Sequence, residues 1–273
     1  MVEILRGKII ADEIRDKAKK KISKMDKPPG MAVILVGDNE ASKLYVGLKE
    51  KAAKEVGIFI ESIKYDSDVS ENELIEKIGE LNARPDIDGI LVQLPLPNHD
   101  EDKVVGSIDP KKDIDGFHPI NLEKHDRGEN CIVPPVSLAI MRLISASNQP
   151  LDGKTAVIIG NNPIFSKPLL ILLKVAGIEA QFLQKKTSAL SAKTRGADII
   201  IVAVGEKDFL KADMVKDGAI VIDVGTNKDG NRTVGDVAED GKEKAGFLSP
   251  VPGGVGPLTV AYLLTNVIEA AKG

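Results

Sequence analysis

The sequence predicts an α/β protein built on mostly parallel sheets, and three observations carry that prediction. Helix and strand patterns alternate along the chain. The strand candidates are unbroken apolar runs, as expected of strands covered on both faces. Glycine and proline punctuate the junctions between them. Strands separated by helices imply right-handed crossovers and therefore parallel neighbours.

Residues 8–24 carry Ile9, Ile10, Ile14, Ala18 and Ile22 at helical spacing, and Pro28, Pro29 and Gly30 end that helix. MAVILVG (31–37) reads as a buried strand. Residues 40–56 read as a helix with Gly57 as its C-terminal cap. IFIESIKY (58–65) is a strand, and Ser70 with Glu73 forms a capping box for a helix over 71–83. GILVQL (89–94) is a buried strand stopped by Pro95 and Pro97.

A second α/β series follows a helix at 137–147 and a turn at Pro150, Asp152 and Gly153. TAVIIG (155–160) is a strand, a helix fits 167–176, and EAQFLQ (179–184), ADIIIVAVG (197–205) and AIVIDVG (219–225) are further strands. An amphipathic helix over 257–271 closes the sequence. The expected organisation is a first domain over 1–120, completed by the C-terminal helix 257–273, and a second over 121–256.

The composition excludes several function classes. Among 273 residues there are 37 basic and 41 acidic side chains, a net charge of -4, so there is neither a nucleic-acid footprint nor a polybasic membrane patch. Cys131 is the single cysteine, which rules out an intrachain disulfide and a cysteine metal cluster. No apolar run approaches the ~20 residues that span a bilayer. The first residues, MVEILRGKIIADEIRDK, lack the apolar core of a signal peptide. The expectation is a cytoplasmic protein.

Two regions carry candidate chemistry. Gly160 ends a strand and a helix follows about six residues later, an anion-binding corner in which N–H groups and a helix dipole face a pyrophosphate. The loop Gly160-Asn161-Asn162-Pro163-Ile164-Phe165-Ser166 lacks the full G-x-G-x-x-G pattern; its spacing favours nucleotide binding, with a structural turn as the alternative. After the next strand, where a carboxylate meets the ribose in NAD sites, the chain has Gln184-Lys185-Lys186-Thr187. Two cations and no carboxylate suit a 2′-phosphate; a solvated charge pair is the alternative.

In the first series, Tyr45 and Lys49 lie four apart on one helix face and can move a proton together, although an exposed lysine on an amphipathic helix has the same pattern. Gln93 ends a buried strand, where ligands of parallel sheets bind; it is a core hydrogen bonder or a site residue. Asp113 and Asp115 are a metal pair or turn carboxylates, and His99, His118 and His125 have no metal-ligand spacing. Pro252, Gly253, Gly254, Gly256 and Pro257 form either a close backbone approach or a rigid turn.

Taken together, SKLYVGLKEKAAKEVGI (42–58), DGILVQLPLP (88–97), PKKDIDGFHPIN (110–121), VIDVGTN (221–227), VGDV (234–237) and PVPGGVGPLTVA (250–261) resemble the bifunctional methylenetetrahydrofolate dehydrogenase/cyclohydrolase family over essentially the whole length. The resemblance implies two α/β domains flanking a cleft, the second a Rossmann-type dinucleotide-binding domain, and a homodimer. It implies oxidation of 5,10-methylenetetrahydrofolate with NADP and hydrolysis of the methenyl product to 10-formyltetrahydrofolate, without a metal. Lys49 would be the base or proton relay, assisted by Tyr45 and oriented by Gln93. Asp115 would hold the pterin edge, and Pro252, Gly253 and Gly254 would floor the site. Gly160, Asn161, Asn162, Ser166, Lys185, Lys186, Thr187, Val204, Gly205, Gly225 and Thr226 would face the cofactor. Two stretches depart from the family pattern: Asn161 replaces an arginine of the nucleotide loop, and Pro134-Pro135-Val136-Ser137-Leu138-Ala139 replaces a P-C-T-P-x-G run.

Overall fold

A computed structural model describes residues 1–272. The order begins β1 (Glu3–Ile4), α1 (Gly7–Ile22), β2 (Gly30–Val36), α2 (Glu40–Val56), β3 (Phe59–Tyr65), α3 (Glu71–Ala83) and β4 (Gly89–Gln93). Three helices come next: α4 (Glu101–Val105), α5 (Pro119–Asp126) and α6 (Pro135–Ala146). The second series is β5 (Thr155–Gly160), α7 (Pro163–Val175), β6 (Glu179–Gln184), α8 (Leu190–Thr194), β7 (Ile199–Ala203) and β8 (Ile220–Asp223). It ends with β9 (Asn227–Asp229), β10 (Arg232–Val234), α9 (Glu239–Lys244), β11 (Phe247–Leu248) and α10 (Val255–Ala270).

The chain forms two compact units. The first comprises Ala11–Pro135 and the chain from Val260 onward. Its sheet has the order β3-β2-β4, all parallel. Every residue of β2 is buried, because the two-residue repeat of a strand sends alternate side chains into two cores. Met31, Val33 and Leu35 pack with Val46, Ala53 and Val56 of α2 and with Leu263, Leu264 and Val267 of α10. Ala32, Ile34 and Val36 pack with Leu74, Ile78 and Leu81 of α3. Each fully buried Ile or Leu contributes about 1.5–3 kcal/mol relative to exposure. The Glu73 N–H donates to Ser70 Oγ at 3.2 Å, so Ser70 caps the start of α3 as the sequence suggests.

The second unit, Met1–Ile10 with Val136–Thr259, holds a six-stranded sheet in the order β1-β11-β8-β7-β5-β6. All its strand pairs are parallel. The chain leaves β5 to form β6 on one side and returns to form β7 on the other, which makes the carboxyl end of β5 a topological switch point. A short antiparallel hairpin, β9–β10, projects after β8.

Three sequence readings differ from this architecture. Helix α7 begins at Pro163, not near 167: Asn162 Oδ1 caps it by accepting from the Ile164 N–H at 2.8 Å, and proline suits the first helical position. Pro168 lies inside this helix rather than near its start. Residue 120 falls within α5, and the compact units divide at Pro135/Val136 instead. The loop before that point belongs to the first unit because Ile90 bridges to Asp113 beside β4, and because Asn266 of α10 reaches back to it. The first ten residues go with the second unit because β1 pairs with β11.

Asn266 is 6% exposed, and its Nδ2 donates to Ile114 O and to Val133 O, each at 3.0 Å. One amide thus satisfies two carbonyls at the two ends of the 114–133 segment. Asn266→Ala leaves both without that donor and is expected to destabilise the protein by about 2 kcal/mol. Urea unfolding measures this; a change in midpoint equivalent to less than about 0.5 kcal/mol would remove Asn266 from the framework.

Candidate active site and dinucleotide corner

In the first unit the apolar side of α2 fixes where its polar residues stand. Val46, Ala52, Ala53 and Val56 bury the helix, and Lys49 is drawn in with them to 8% exposure. Its Nζ donates to Gln93 Oε1 at 2.8 Å. Gln93 Nε2 donates in turn to Leu94 O at 2.8 Å, which orients the amide with its oxygen toward the amine. The terminal residue of β4 therefore supports the lysine. Tyr45 is half-buried one turn before Lys49 on the same face.

Burial pushes the Lys49 amine below the usual lysine range, and the Asp115 charge opposes that shift. A neutral amide is a weak partner for a buried ammonium, which adds to the shift toward the neutral amine. Asp115 is half-buried, and desolvation raises its carboxyl above the usual range, with Lys49 lowering it and Asp113 raising it.

Asp113 has a different task. Its carboxylate accepts from the Gly116 N–H at 3.0 Å, the His118 N–H at 2.8 Å and Asn121 Nδ2 at 3.1 Å. It is a turn carboxylate that folds the loop displaying Asp115. His118 Nδ1 accepts from the Ile120 N–H at 3.1 Å and so caps α5. Among the described residues, no group of three or more His, Cys, Asp or Glu side chains is arranged to hold a metal ion.

Pro252, Gly253 and Gly254 lie in the second unit, in the turn before α10. The close approach expected there is made by Gly7, where a Cβ would stand 2.0 Å from Gly254 O. The Lys8 N–H donates to Gly253 O at 2.9 Å.

The residues expected to face the cofactor gather at the carboxyl ends of the second sheet. Gly160 ends β5 between Ala203 O and the Phe182 ring, each 3.4 Å from a hypothetical Cβ. Asn161 Nδ2 donates to Val204 O at 2.8 Å, and buried Ser166 donates from Oγ to Pro163 O at 2.8 Å. A strand, a two-residue turn and the N-terminus of a 13-residue helix at a switch point suit a pyrophosphate. Thr187 closes a turn by donating its N–H to Gln184 O at 2.9 Å, and Lys186 is exposed. One expectation needs correction: the surroundings of Lys185 are not free of carboxylates, because Lys185 Nζ is ion-paired with Glu206.

Two carboxylates absent from the sequence reading organise this edge. Asp236 is fully buried and accepts from the N–H groups of Val204 (2.7 Å), Gly205 (3.0 Å) and Glu206 (3.0 Å), and from Asn227 Nδ2 at 2.8 Å. Asp223 accepts from the N–H groups of Gly225 (3.0 Å), Asp236 (3.0 Å) and Val237 (3.1 Å). The two pack reciprocally against glycines. A Cβ on Gly225 would lie 2.1 Å from Asp236 Oδ1, and one on Gly235 would lie 1.8 Å from Asp223 Oδ2. The pairing of Gly with Asp in VIDVGTN and VGDV was the available signal. Thr226, next to Gly225, stands in the loop so fixed.

A buried lysine on α2, held by the amide that ends β4, and a switch-point corner suited to a pyrophosphate are the features of a dinucleotide-linked enzyme. Residues 5–115 match the catalytic domain, and residues 134–273 the NAD(P)-binding domain, of the tetrahydrofolate dehydrogenase/cyclohydrolase family. The chain is 44% identical over 283 residues to a bifunctional FolD protein of Halothermothrix orenii, covering 100% of this chain and 99% of the relative. The bifunctional FolD dehydrogenase/cyclohydrolase of Campylobacter jejuni has a crystal structure that superposes with a TM-score of 0.94 at 42% identity, over 100% of this chain and 99% of that one. The Trypanosoma brucei enzyme, solved with NADP and an inhibitor, gives 0.94 at 31% identity, over 99% and 97%. The chain belongs to the tetrahydrofolate dehydrogenase/cyclohydrolase family and is a bifunctional enzyme of that kind.

Asp223 supplies a test of the corner's electrostatics. Burial outweighs its three N–H donors, the charge of Asp236 adds to burial, and the carboxyl is raised to about 6. A folded-state value above the unfolded one means that stability falls as pH rises from about 4 through about 6, by on the order of 3 kcal/mol for this group. Carboxyl carbon NMR of aspartate-labelled protein should reveal one resonance titrating near 6 that disappears in Asp223→Asn. If every aspartate titrates below 5, the buried pair is not coupled in this way.

Proposed function

We propose that the enzyme oxidises 5,10-methylenetetrahydrofolate with NADP and hydrolyses the methenyl product to 10-formyltetrahydrofolate, with Lys49 as the proton-transfer residue. The observation that carries this is the buried Lys49 amine, bonded to Gln93 Oε1 at 2.8 Å and biased toward its neutral form. NADP would be held at the carboxyl ends of β5, β7 and β8, by Gly160, Asn162, Ser166, Val204, Gly205, Gly225 and Thr226, with Lys185 and Lys186 toward the 2′-phosphate. When bound, it accepts the hydride released by the methylene carbon.

Hydrolysis falls to the chain's own groups. Water adds to the methenyl carbon and gives a proton to the Lys49 amine. The remaining hydroxyl proton leaves to solvent as the C=O bond forms and the carbon–N5 bond breaks, N5 takes up a proton from the ammonium, and the formyl group stays on N10; Lys49 ends as it began and one proton is released overall. Tyr45, one turn away, relays or steadies that proton, and Gln93 holds the amine in place. Asp115 accepts hydrogen bonds from the pterin edge. A cationic methenyl substrate near Lys49 disfavours the ammonium further.

We also propose a cytoplasmic homodimer. Support for the dimer comes from the family resemblance and from β3, a sheet-edge strand with exposed Phe59. Among the described residues no helix is long and apolar enough to cross a membrane.

Incubation with methylenetetrahydrofolate and NADP should yield methenyl and then formyl product; methenyl accumulation without formyl product would leave a dehydrogenase alone. Lys49→Met keeps the side-chain length but carries no proton, so hydrolysis should fall by about 10²-fold or more while circular dichroism stays unchanged. In the wild type, hydrolysis should decline as pH drops through the lowered lysine value, because the base must be neutral. A methenyl hydrolysis rate near wild type in the variant would exclude Lys49. Asp115→Asn should weaken folate binding by about 1.5–3 kcal/mol, measured by calorimetry, with little effect on NADP. Equal loss for both ligands would refute a pterin role.

A further inference from the structure

The ion pair between Lys185 and Glu206 occupies a position that its distance along the chain does not suggest. Lys185 follows the last residue of β6, and Glu206 stands three residues past the end of β7. Those strands flank β5 on opposite sides, with Gly160 in register with both Gln184 and Ala203. Adjacent strands lie about 4.8 Å apart, so the two side chains meet across roughly 10 Å, over the end of β5 where the switch point opens.

The two partners are mounted differently. Asp236 accepts from three successive N–H groups, the last of them that of Glu206, so the backbone beneath Glu206 is clamped. The Glu206 side chain is half exposed, whereas that of Lys185 is 30% exposed. Asn161, between them in the sheet order, turns its amide inward to Val204 O. Lys185 and Glu206 are thus opposite charges joined above the corner that would take the adenosine ribose.

We propose that Glu206 is the specificity-determining residue of the corner: it competes with a 2′-phosphate for Lys185, and accepts hydrogen bonds from an unphosphorylated ribose. The proposal rests on the nucleotide reading above. A phosphorylated ribose must draw the Lys185 ammonium away from Glu206 and leave that carboxylate facing a second anion. An exposed ion pair is weak, so this exchange is accessible, but the leftover carboxylate repels the phosphate. With a plain ribose the pair stays intact, and Glu206 offers a free oxygen to a hydroxyl, as acidic residues in NAD sites do. The side chain therefore narrows the preference for NADP that Lys185 would otherwise give.

Calorimetric titration of the full-length protein with NADP and with NAD, without folate, tests this in wild type, Glu206→Gln, Lys185→Ala and the double variant. Thermal melts confirm that each is folded, and both positions are at the surface. Glu206→Gln should tighten NADP by roughly five- to tenfold and leave NAD unchanged or weaker. The gain should shrink at high salt, and in the Lys185→Ala background it should differ from that in wild type, because the two side chains act as a pair. If Glu206→Gln shifts both dinucleotides equally, or neither, Glu206 does not set the preference and the proposal fails while the nucleotide site stands. If wild type binds neither dinucleotide, the nucleotide reading of the corner fails and takes this proposal with it.

Discussion

A parallel sheet ends all its strands on one edge, and the backbone that leaves that edge loses its ladder partners at the place where function must be built. In this protein, buried aspartates replace those partners. Asp113 gathers two N–H groups and a side-chain amide beyond β4; Asp223 and Asp236 gather six N–H groups beyond β7 and β8. A carboxylate is the side chain suited to this, since it offers two acceptor oxygens and no donor. The cost is a buried charge, visible in the raised carboxyls of Asp113 and Asp223. The residues proposed for the site, Asp115 on one unit and Val204, Gly205 and Gly225 on the other, sit on or beside backbone that these carboxylates fix.

The same distinction between scaffold and chemistry separates two lysines of the first unit. Burial lowers both Lys49 and Lys112. Lys112 Nζ nevertheless donates to the carbonyls of Leu81, Asn82 and Arg84, at 3.4, 2.9 and 2.8 Å, where α3 ends. Three carbonyls and the negative end of a helix dipole hold it as an ammonium. Lys49 is bonded to a single amide oxygen, with Asp115 acting on it through space. The second arrangement compensates a buried ammonium with fewer acceptors than the first, as the proposed proton transfer requires.

What the sequence made legible follows from range. The buried run of β2, the Ser70 cap, Gly57 at the end of α2 and the shared face of Tyr45 and Lys49 are properties of a few neighbouring residues, and local periodicity or capping chemistry displays them. Asn266 reaches a carbonyl 152 positions away, and nothing nearby announces it except a polar residue in an apolar helix. The reciprocal fit of Asp223 with Gly235 and of Asp236 with Gly225 exists only once β8 is in the sheet. Glu206 was missed for the same reason: a window around Lys185 contains no carboxylate, and only the strand order brings one across. The helix expected over 167–176 starts earlier, at Pro163, because Asn162 caps it and proline suits its first position.

The two departures from the family's sequence pattern have unequal physical consequences. Ser137, in the altered stretch at the start of α6, is fully buried, and its hydroxyl has no partner among the described residues. That position carries an unmet desolvation cost. Asn161 is absorbed by the fold, because its amide binds Val204 O and ties the loop after β5 to the loop after β7. An arginine at that position would bring a fixed cation to the corner; the asparagine brings a brace. Charge selection therefore moves outward, to the side chains that trail β6 and β7. There a lysine and a glutamate hold each other, and in the proposed site neither would meet a ligand independently of the other.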